Sequence, residues 1–310
     1  MGEILQSSPI IISEWGIVMA KYIALTEDTR YDKQNVLFHI VVIGVGANGS
    51  HFLRGLLQDI STHQNWKEID LTIVDADRVE EKNLSNQLFT NDEIGEFKVR
   101  ALAERYGQVY NVDVKAVTHY CTDLDMLRRL FIPGCTSRKV IPILIGMVDN
   151  NKTRQLFHEF FYLEEVTDLI WLDAGVEGIT IPERPIHQLS DEERISLEQT
   201  GYSGQIVCGL KWRGKVVLPP VTDVYSNILE DTLTSFPGES CGTLIINNPQ
   251  RCATNKFAAQ IANNFMNNLF HLRAIFWSIN NFNAQLSVSR PVYLTEDQIN
   301  TWIKCNAISE

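Results

Sequence analysis

Apolar and polar positions alternate along the chain in two rhythms, one of about two residues and one of about 3.6. Residues 38–43, FHIVVI, are apolar almost without a break and run into GVGANG, which predicts a parallel-sheet strand buried on both faces. Phe52, Leu53, Leu56, Leu57 and Ile60 then recur at helical spacing over 49–60. STHQNWKE reads as a polar loop, and IDLTIVD as a second strand ending at Asp75. Residues 97–108 read as a helix, 113–117 as a third strand, and VIPILIGMVD (140–149) as a deeply buried strand. NKTRQLFHEFFYL is the helix after it, and DLIWLDAG (168–175) the next strand. Strand and helix in repeated alternation predict an α/β fold with a Rossmann-like, doubly wound, mostly parallel sheet.

After Gly175 the rhythm changes. A polar stretch containing Pro182 and Pro185 leads to GQIVCGLKWRGKVVL, a hairpin turning at Arg213–Gly214. A helix is expected near 222–234, then the loop FPGESCGTLIINNPQRC, then a long amphipathic helix from about Ala253 to Leu272. The C-terminal half is therefore expected to be a mixed sheet. No internal repeat, low-complexity tract or clear linker breaks the chain. The simplest division is an N-terminal segment over 1–35 and one domain over 36–310, with a cysteine-bearing loop near 236–253.

Composition narrows the partners. A length of 310 residues supports a substantial core. A net charge of -11 repels phosphates and argues against a nucleic-acid partner. No run of about 18 apolar residues exists to span a membrane. Glu3, rather than positive charge, precedes the apolar N-terminal stretch, which argues against a signal peptide. A cytoplasmic protein with no membrane partner is the expectation. The six cysteines, Cys121, Cys135, Cys208, Cys241, Cys252 and Cys305, form no CxxC pair, so no structural zinc is expected.

Gly44-x-Gly46-x-x-Gly49 follows a strand and opens a helix. Glycines there let backbone N–H groups approach a phosphate, and the helix N-terminus adds partial positive charge. Asp75, closing the second strand, is placed to accept hydrogen bonds from a ribose. A nicotinamide- or flavin-dependent dehydrogenase would carry the same features, so this loop says nucleotide without saying which chemistry.

The residues after Asp75 discriminate. IVDADRVEEKNLSNQLFTNDEIGEFK resembles the signature of the ThiF/MoeB/ubiquitin-activating superfamily: D-x-D-x-V-E, then N-L-x-R-Q, then D-I-G and a lysine. Asp75, Asp77, Val79, Glu80, Asn83, Leu84, Gln87, Ile94, Gly95 and Lys98 match it. MVDNNKTRQLF resembles the family's D-N-x-x-T-R and supplies Asp149, Asn150, Thr153 and Arg154. The pairing of WLDAG with GQIV is similar to small ThiF-like proteins of bacterial operons, including the PRTRC type.

The resemblance implies an ATP-dependent adenylyltransferase. A carboxylate, usually the C-terminal glycine of a ubiquitin-like (β-grasp) protein, attacks the α-phosphorus, giving an acyl-adenylate and pyrophosphate. It implies that Gly44, Gly46 and Gly49 cradle the phosphates, that Asp75 and Asp77 lie on the nucleotide side, and that Asp75 holds the ribose. Asn83, Gln87 and Asn150 would orient the nucleotide. Lys98 would neutralise phosphate charge and Asp149 would hold Mg²⁺, a hard cation suited to carboxylate and phosphate oxygens. Asn150, one residue on, could instead cap the following helix, as could Asp149. A homodimer and a downstream conjugating enzyme are further implications.

The chain departs from the pattern at Asn86, where the family has an arginine; Arg54 and Arg30 are candidates to replace that cation. Two cysteines are candidates for carrying the activated carboxylate as a thioester. Cys241 lies in the glycine-flanked FPGESCG, and Cys252 sits just before the long helix, as the sulfur-transfer cysteine of ThiF does. An adenylating enzyme for a small molecule or tRNA, and a non-catalytic subunit of an activating complex, remain open alternatives.

Overall fold

The computed structural model describes residues 10–13, 16–19, 21–26, 35–62, 69–134, 136–180, 185–237 and 250–307. Cys241, Arg30 and Cys135 lie outside them. Short strands at Ile10–Ser13, Gly16–Met19 and Ile23–Ala24 lie outside the main sheet, whose first strand, β1 (Val36–Ile43), is followed by α1 (Ala47–Thr62), β2 (Ile69–Val74), α2 (Lys98–Tyr110), β3 (Lys115–Val117) and α3 (Leu124–Leu130). Then come β4 (Lys139–Gly146), α4 (Asn151–Tyr162), β5 (Leu169–Val176), α5 (Asp191–Gln199), β6 (Ser203–Trp212) and β7 (Lys215–Leu218). The chain continues through two one-turn helices, Val221–Val224 and Asn227–Glu230, to α6 (Cys252–Leu272), β8 (Trp277–Asn283), β9 (Val288–Tyr293) and α7 (Glu296–Ala307).

The strands lie in the order β9-β8-β6-β5-β4-β1-β2-β3, with β7 pairing β6. From β5 to β3 every pairing is parallel. β6 joins β5 antiparallel, and β7, β8 and β9 continue antiparallel, which is the mixed half. Alternate residues of each strand feed two cores, which is why a parallel strand reads as an unbroken apolar run. Phe38, Ile40 and Val42 face α1, α2 and α6; Val41 and Ile43 pack with Leu156, Phe157 and Phe161 of α4. The turn at Arg213 (φ 48) and Gly214 (φ 77) has both central residues left-handed, the geometry that matches strand twist in a two-residue hairpin.

Three expectations need correction. The helix expected near 222–234 is two single turns, because Gln155 Nε2 donates to the carbonyls of Ile228 (3.0 Å) and Asp231 (2.9 Å) and so ends the second one. The third strand begins at Lys115 rather than 113, since Asn111 (φ 53) closes α2 and Val112 N–H donates back to Gly107. The β8–β9 hairpin, α3, α5 and α7 were not anticipated.

Candidate functional site

Strand register brings three carboxyl ends level. Ile43 pairs with Val74 on one side and Gly146 on the other. The ladder runs one residue further through Gly44 N–H to Val74 O (2.9 Å) and Met147 N–H to Ile43 O (2.9 Å). The segments after β1, β2 and β4 therefore leave the sheet side by side, where the chain order reverses around β1 and where open α/β sheets bind ligands. A cavity of about 1270 Å³ lies there. Gly44, Gly46, Asp75, Asp77, Asn83, Gln87, Lys98, Asp149 and Asn150 all line it.

Each loop glycine has its own reason. Gly44 has φ +89, and a Cβ there would meet Met147 O at 2.8 Å. A Cβ on Gly49 would lie 2.1 Å from Gly44 O, so the first turn of α1 rests on the loop backbone. At Gly46 nothing lies within 4 Å of a Cβ; that position opens into the cavity. Asn48, also lining it, is buried, and its Oδ1 has no donor. Its place inside the glycine loop was the signal for it.

Asp75 clamps this loop. Oδ2 accepts from Val45 N–H (2.9 Å) and Oδ1 from Asp77 N–H (2.9 Å). Each oxygen keeps a lone pair for a ribose hydroxyl. Burial, helped by the nearby Asp77 charge, pushes the Asp75 carboxyl above the usual carboxylate range, against the pull of Lys98 and of the two backbone bonds. Asp77 moves the other way. Burial alone would raise it, but Lys98 Nζ at 2.9 Å and the Tyr120 hydroxyl hold it below the usual range. Lys98 is buried as the first residue of α2, and its backbone N–H donates to Asp77 O at 2.9 Å. The lysine thus stands in the cavity wall already paired.

Asn83 Oδ1 accepts from Glu80 N–H (2.8 Å) in a reciprocal capping box that holds the short turn 81–85 against the cavity. Gln87 Oε1 is buried without a donor. Of the two residues able to cap α4, Asn150 does so: its Oδ1 accepts from Thr153 N–H at 2.8 Å, while its Nδ2 has no acceptor. Asp149 is left exposed at the cavity, with no ion pair among the described residues. Arg154 binds Asp173 Oδ1 (2.9 Å) and the carbonyls of Val148 (2.7 Å) and Ala174 (3.0 Å), so it ties β4, α4 and β5 together. Burial pushes Asp173 up, opposed by Arg154.

These groups suit a nucleotide with Mg²⁺. Asn48 Oδ1, Gln87 Oε1 and Asn150 Nδ2 are two acceptors and a donor awaiting partners. Among the described residues no three side chains form a metal cage. A single free carboxylate fits an ion that takes most of its oxygens from phosphates and water.

Arg54 is exposed on α1 and is not among the cavity's lining residues. Lys82, which sequence reasoning passed over, does line it; it is paired with Glu80 at 3.0 Å in the open. Its place in VEEKNL was the available signal. The far wall comes from the antiparallel half: Ser203, Gly204 and Gln205 of β6, Asn281 and Phe282 of β8, and Tyr225. Gly204 and Gln205 belong to the GQIV block; no motif pointed to Ser203, Tyr225, Asn281 or Phe282, the last two of which a non-local sheet pairing brings in. Cys252 opens α6, half-buried; Gln250, two residues earlier, lines the cavity.

A family model described as ThiF family matches residues 22–181, just over half of the chain. No curated protein matches it by sequence. Among solved structures, PaaA is similar at 15% identity and a TM-score of 0.51, over 86% of this chain and 68% of that one. E. coli MccB, solved with AMPCPP and MccA, is similar at 12% identity and a TM-score of 0.50, over 86% of this chain and 66% of that one. The chain thus spans about two thirds of either structure, and at these identities the likeness concerns the fold.

Proposed function

The chain belongs to the ThiF family, and on that premise we propose that it is an ATP-dependent adenylyltransferase. It activates the C-terminal carboxylate of a ubiquitin-like, β-grasp protein and carries it as a cysteine thioester. The observation that supports this most is convergence: motif residues from four separate stretches line one cavity that also holds unpartnered buried polar atoms. E. coli MccB, similar in fold, was solved with the nucleotide AMPCPP.

The geometry supports a role for each residue. Backbone N–H groups at Gly46 and the start of α1 bind phosphate oxygens. Asp75, fixed by two backbone bonds, presents its free lone pairs to the ribose. Asn48, Gln87 and Asn150 orient the nucleotide through their orphaned atoms. Asp149 would hold Mg²⁺, which supplies charge neutralisation on the phosphates. Lys98 sets the charge of the wall and fixes Asp77. The substrate carboxylate oxygen attacks the α-phosphorus, and pyrophosphate leaves with the electron pair of the broken P–O bond. Catalysis is then positioning and electrostatics. The amide-bearing wall of Gln205 and Asn281 suits an extended peptide tail. A homodimer and a conjugating enzyme that accepts the thioester belong to the same reading.

The test is ATP–pyrophosphate exchange by the purified chain with Mg²⁺ and a β-grasp protein ending in glycine, encoded next to it. Exchange that requires this partner supports the reading. Exchange driven by a small carboxylate alone replaces the substrate class. A melting-temperature rise with NAD and none with ATP and Mg²⁺ overturns the proposal. One observation favours a non-catalytic subunit instead: all three lysine and arginine side chains lining the cavity are already paired, Lys98 with Asp77 and Arg154 with Asp173 in its wall and Lys82 with Glu80 in the open. No exchange alone, with rescue by a second homologous chain, is its signature.

A further inference from the structure

Cys252 is the first residue of α6, a helix of 21 residues. Its Sγ lies 3.8 Å from Nε2 of His51 on α1. The two are 201 positions apart, so only the packing of α1 against α6 brings them together. We propose that Cys252 and His51 form a thiol–imidazole pair at the rim of the cavity, with His51 accepting the thiol proton so that Cys252 captures an activated acyl group. The nature of that acyl group rests on the adenylation reading; the reactivity of the pair does not.

Position is the first support. Gln250, just before Cys252, lines the cavity, and so does Asn86, whose backbone is hydrogen-bonded to the His51 ring. The pair therefore adjoins the space where an acyl-adenylate would form. Ring orientation is the second. The bond to Asn86 favours the protonated ring, so the imidazole is its donor. Nε2 faces Sγ at a distance where its lone pair can accept the thiol proton.

Charge is the third. Burial holds His51 below its ordinary value despite the Asn86 bond, and Lys256 of α6 and Arg54 of α1 push it the same way. A neutral imidazole can take a proton, which is what the pair requires of His51. Cys121 and Cys208 offer a contrast. Both are buried, and burial pushes the Cys121 thiol up to about 12 and the Cys208 thiol further.

In the step itself the Sγ proton passes to Nε2. The thiolate adds to the acyl carbonyl carbon and a C–S bond forms. The bond from that carbon to the AMP oxygen then breaks, AMP leaves with the electron pair, and a thioester remains.

The experiment is pulsed alkylation of the full chain with iodoacetamide from pH 5 to 10, without ATP, read at each cysteine by peptide mass spectrometry. Cys252 should react at pH 7 about tenfold faster than in the urea-unfolded chain. His51→Gln should remove most of that advantage. A wild-type rate no faster than in the unfolded chain, or rates unaltered by His51→Gln, overturns the pair. Should the variant not fold, the wild-type comparison alone decides. Exchange with acylation of a different cysteine sinks the pair and leaves the proposed function standing. An activated Cys252 in a chain showing no exchange does the reverse.

Discussion

Gly46→Ala and Gly49→Ala remove the same hydrogen for the same methyl within one loop, and the structure predicts opposite consequences. At Gly49 the new Cβ would sit 2.1 Å from Gly44 O and 2.9 Å from Gly44 C, both backbone atoms. Normal contact needs the turn and helix to part by more than an ångström. Overpacking of this kind costs about 3 kcal/mol or more when backbone must move. At about 2–4 °C per kcal/mol, the melting temperature should fall by at least roughly 6 °C. At Gly46 no atom lies within 4 Å of the Cβ and φ is not positive, so the fold accepts alanine and gains a few tenths of a kcal/mol from the stiffer unfolded chain. That Cβ instead occupies cavity space where backbone N–H groups would meet phosphate. Losing one charge-assisted hydrogen bond, about 1.5–3 kcal/mol, weakens ATP roughly ten- to hundredfold. Differential scanning fluorimetry without ligand, then an ATP titration with Mg²⁺, separates the two. The reasoning fails if Gly46→Ala melts as low as Gly49→Ala, or binds ATP as wild type does.

Asp149→Asn should abolish Mg²⁺-dependent exchange and leave the melting temperature within about 1 °C, whereas Asn150→Ala removes a helix cap and should cost about 1 kcal/mol by urea unfolding. Arg154→Met strands Asp173 and should destabilise by about 3–5 kcal/mol at pH 8. Because Asp173 then has a folded pKa raised still further, the native state binds the extra proton. Stability of this variant should fall as pH rises from the unfolded carboxylate value, about 4, toward the folded one, so the loss should be smaller at pH 5 than at pH 8. Lys98→Met should lower exchange at least a hundredfold. Asp77, now depressed, contributes stability above about pH 4 that is lost as pH falls through its folded pKa; without Lys98 this acid-limb loss should shrink in pH-dependent melts. Lys82→Ala breaks only an exposed pair with Glu80, so it should leave stability unchanged and raise the ATP KM several-fold.

The parallel half of the sheet was legible because local and global signals coincide there. Strands β1, β2, β4 and β5 are compact, largely apolar runs, and α1, α2 and α4 each carry one apolar face. The hairpin at Arg213–Gly214 was legible because its turn needs left-handed residues and the chain supplies a glycine. What escaped is of two kinds. Some signals were present and overlooked: Ser190 with Glu193, and Thr295 with Gln298, are reciprocal capping boxes that start α5 and α7. Others have no local form. β8, WSINNFN, earns its place by pairing with β6, and Asn280 on it is buried only because β9 covers it and Ser289 bonds it.

The same division runs through the site. Residues that would touch a nucleotide through the backbone sit in motifs, since the loop geometry demands glycine, and Asp75 and Asn150 are legible as the carboxylate and amide that close a strand and cap a helix. Apart from Gln205 in the GQIV block, residues that would handle the second substrate are brought in by tertiary packing. His51 follows Gly49 and Ser50 within the first turns of α1 and reads as an ordinary helix-surface histidine. Only α6 crossing α1 turns it toward Cys252, and the same packing sets its ring against the Asn86 backbone. Asn86 is where the family pattern places an arginine. A full guanidinium at that site would add a third cation to Lys256 and Arg54 around His51, while asparagine adds none. The departure that looked like a missing phosphate contact thus sits at the junction between the nucleotide cavity and the thiol. Under the proposed function the cavity's phosphate charge would fall to Lys82, whose pair with Glu80 is the one a bound triphosphate would most easily break, because both side chains are already in water.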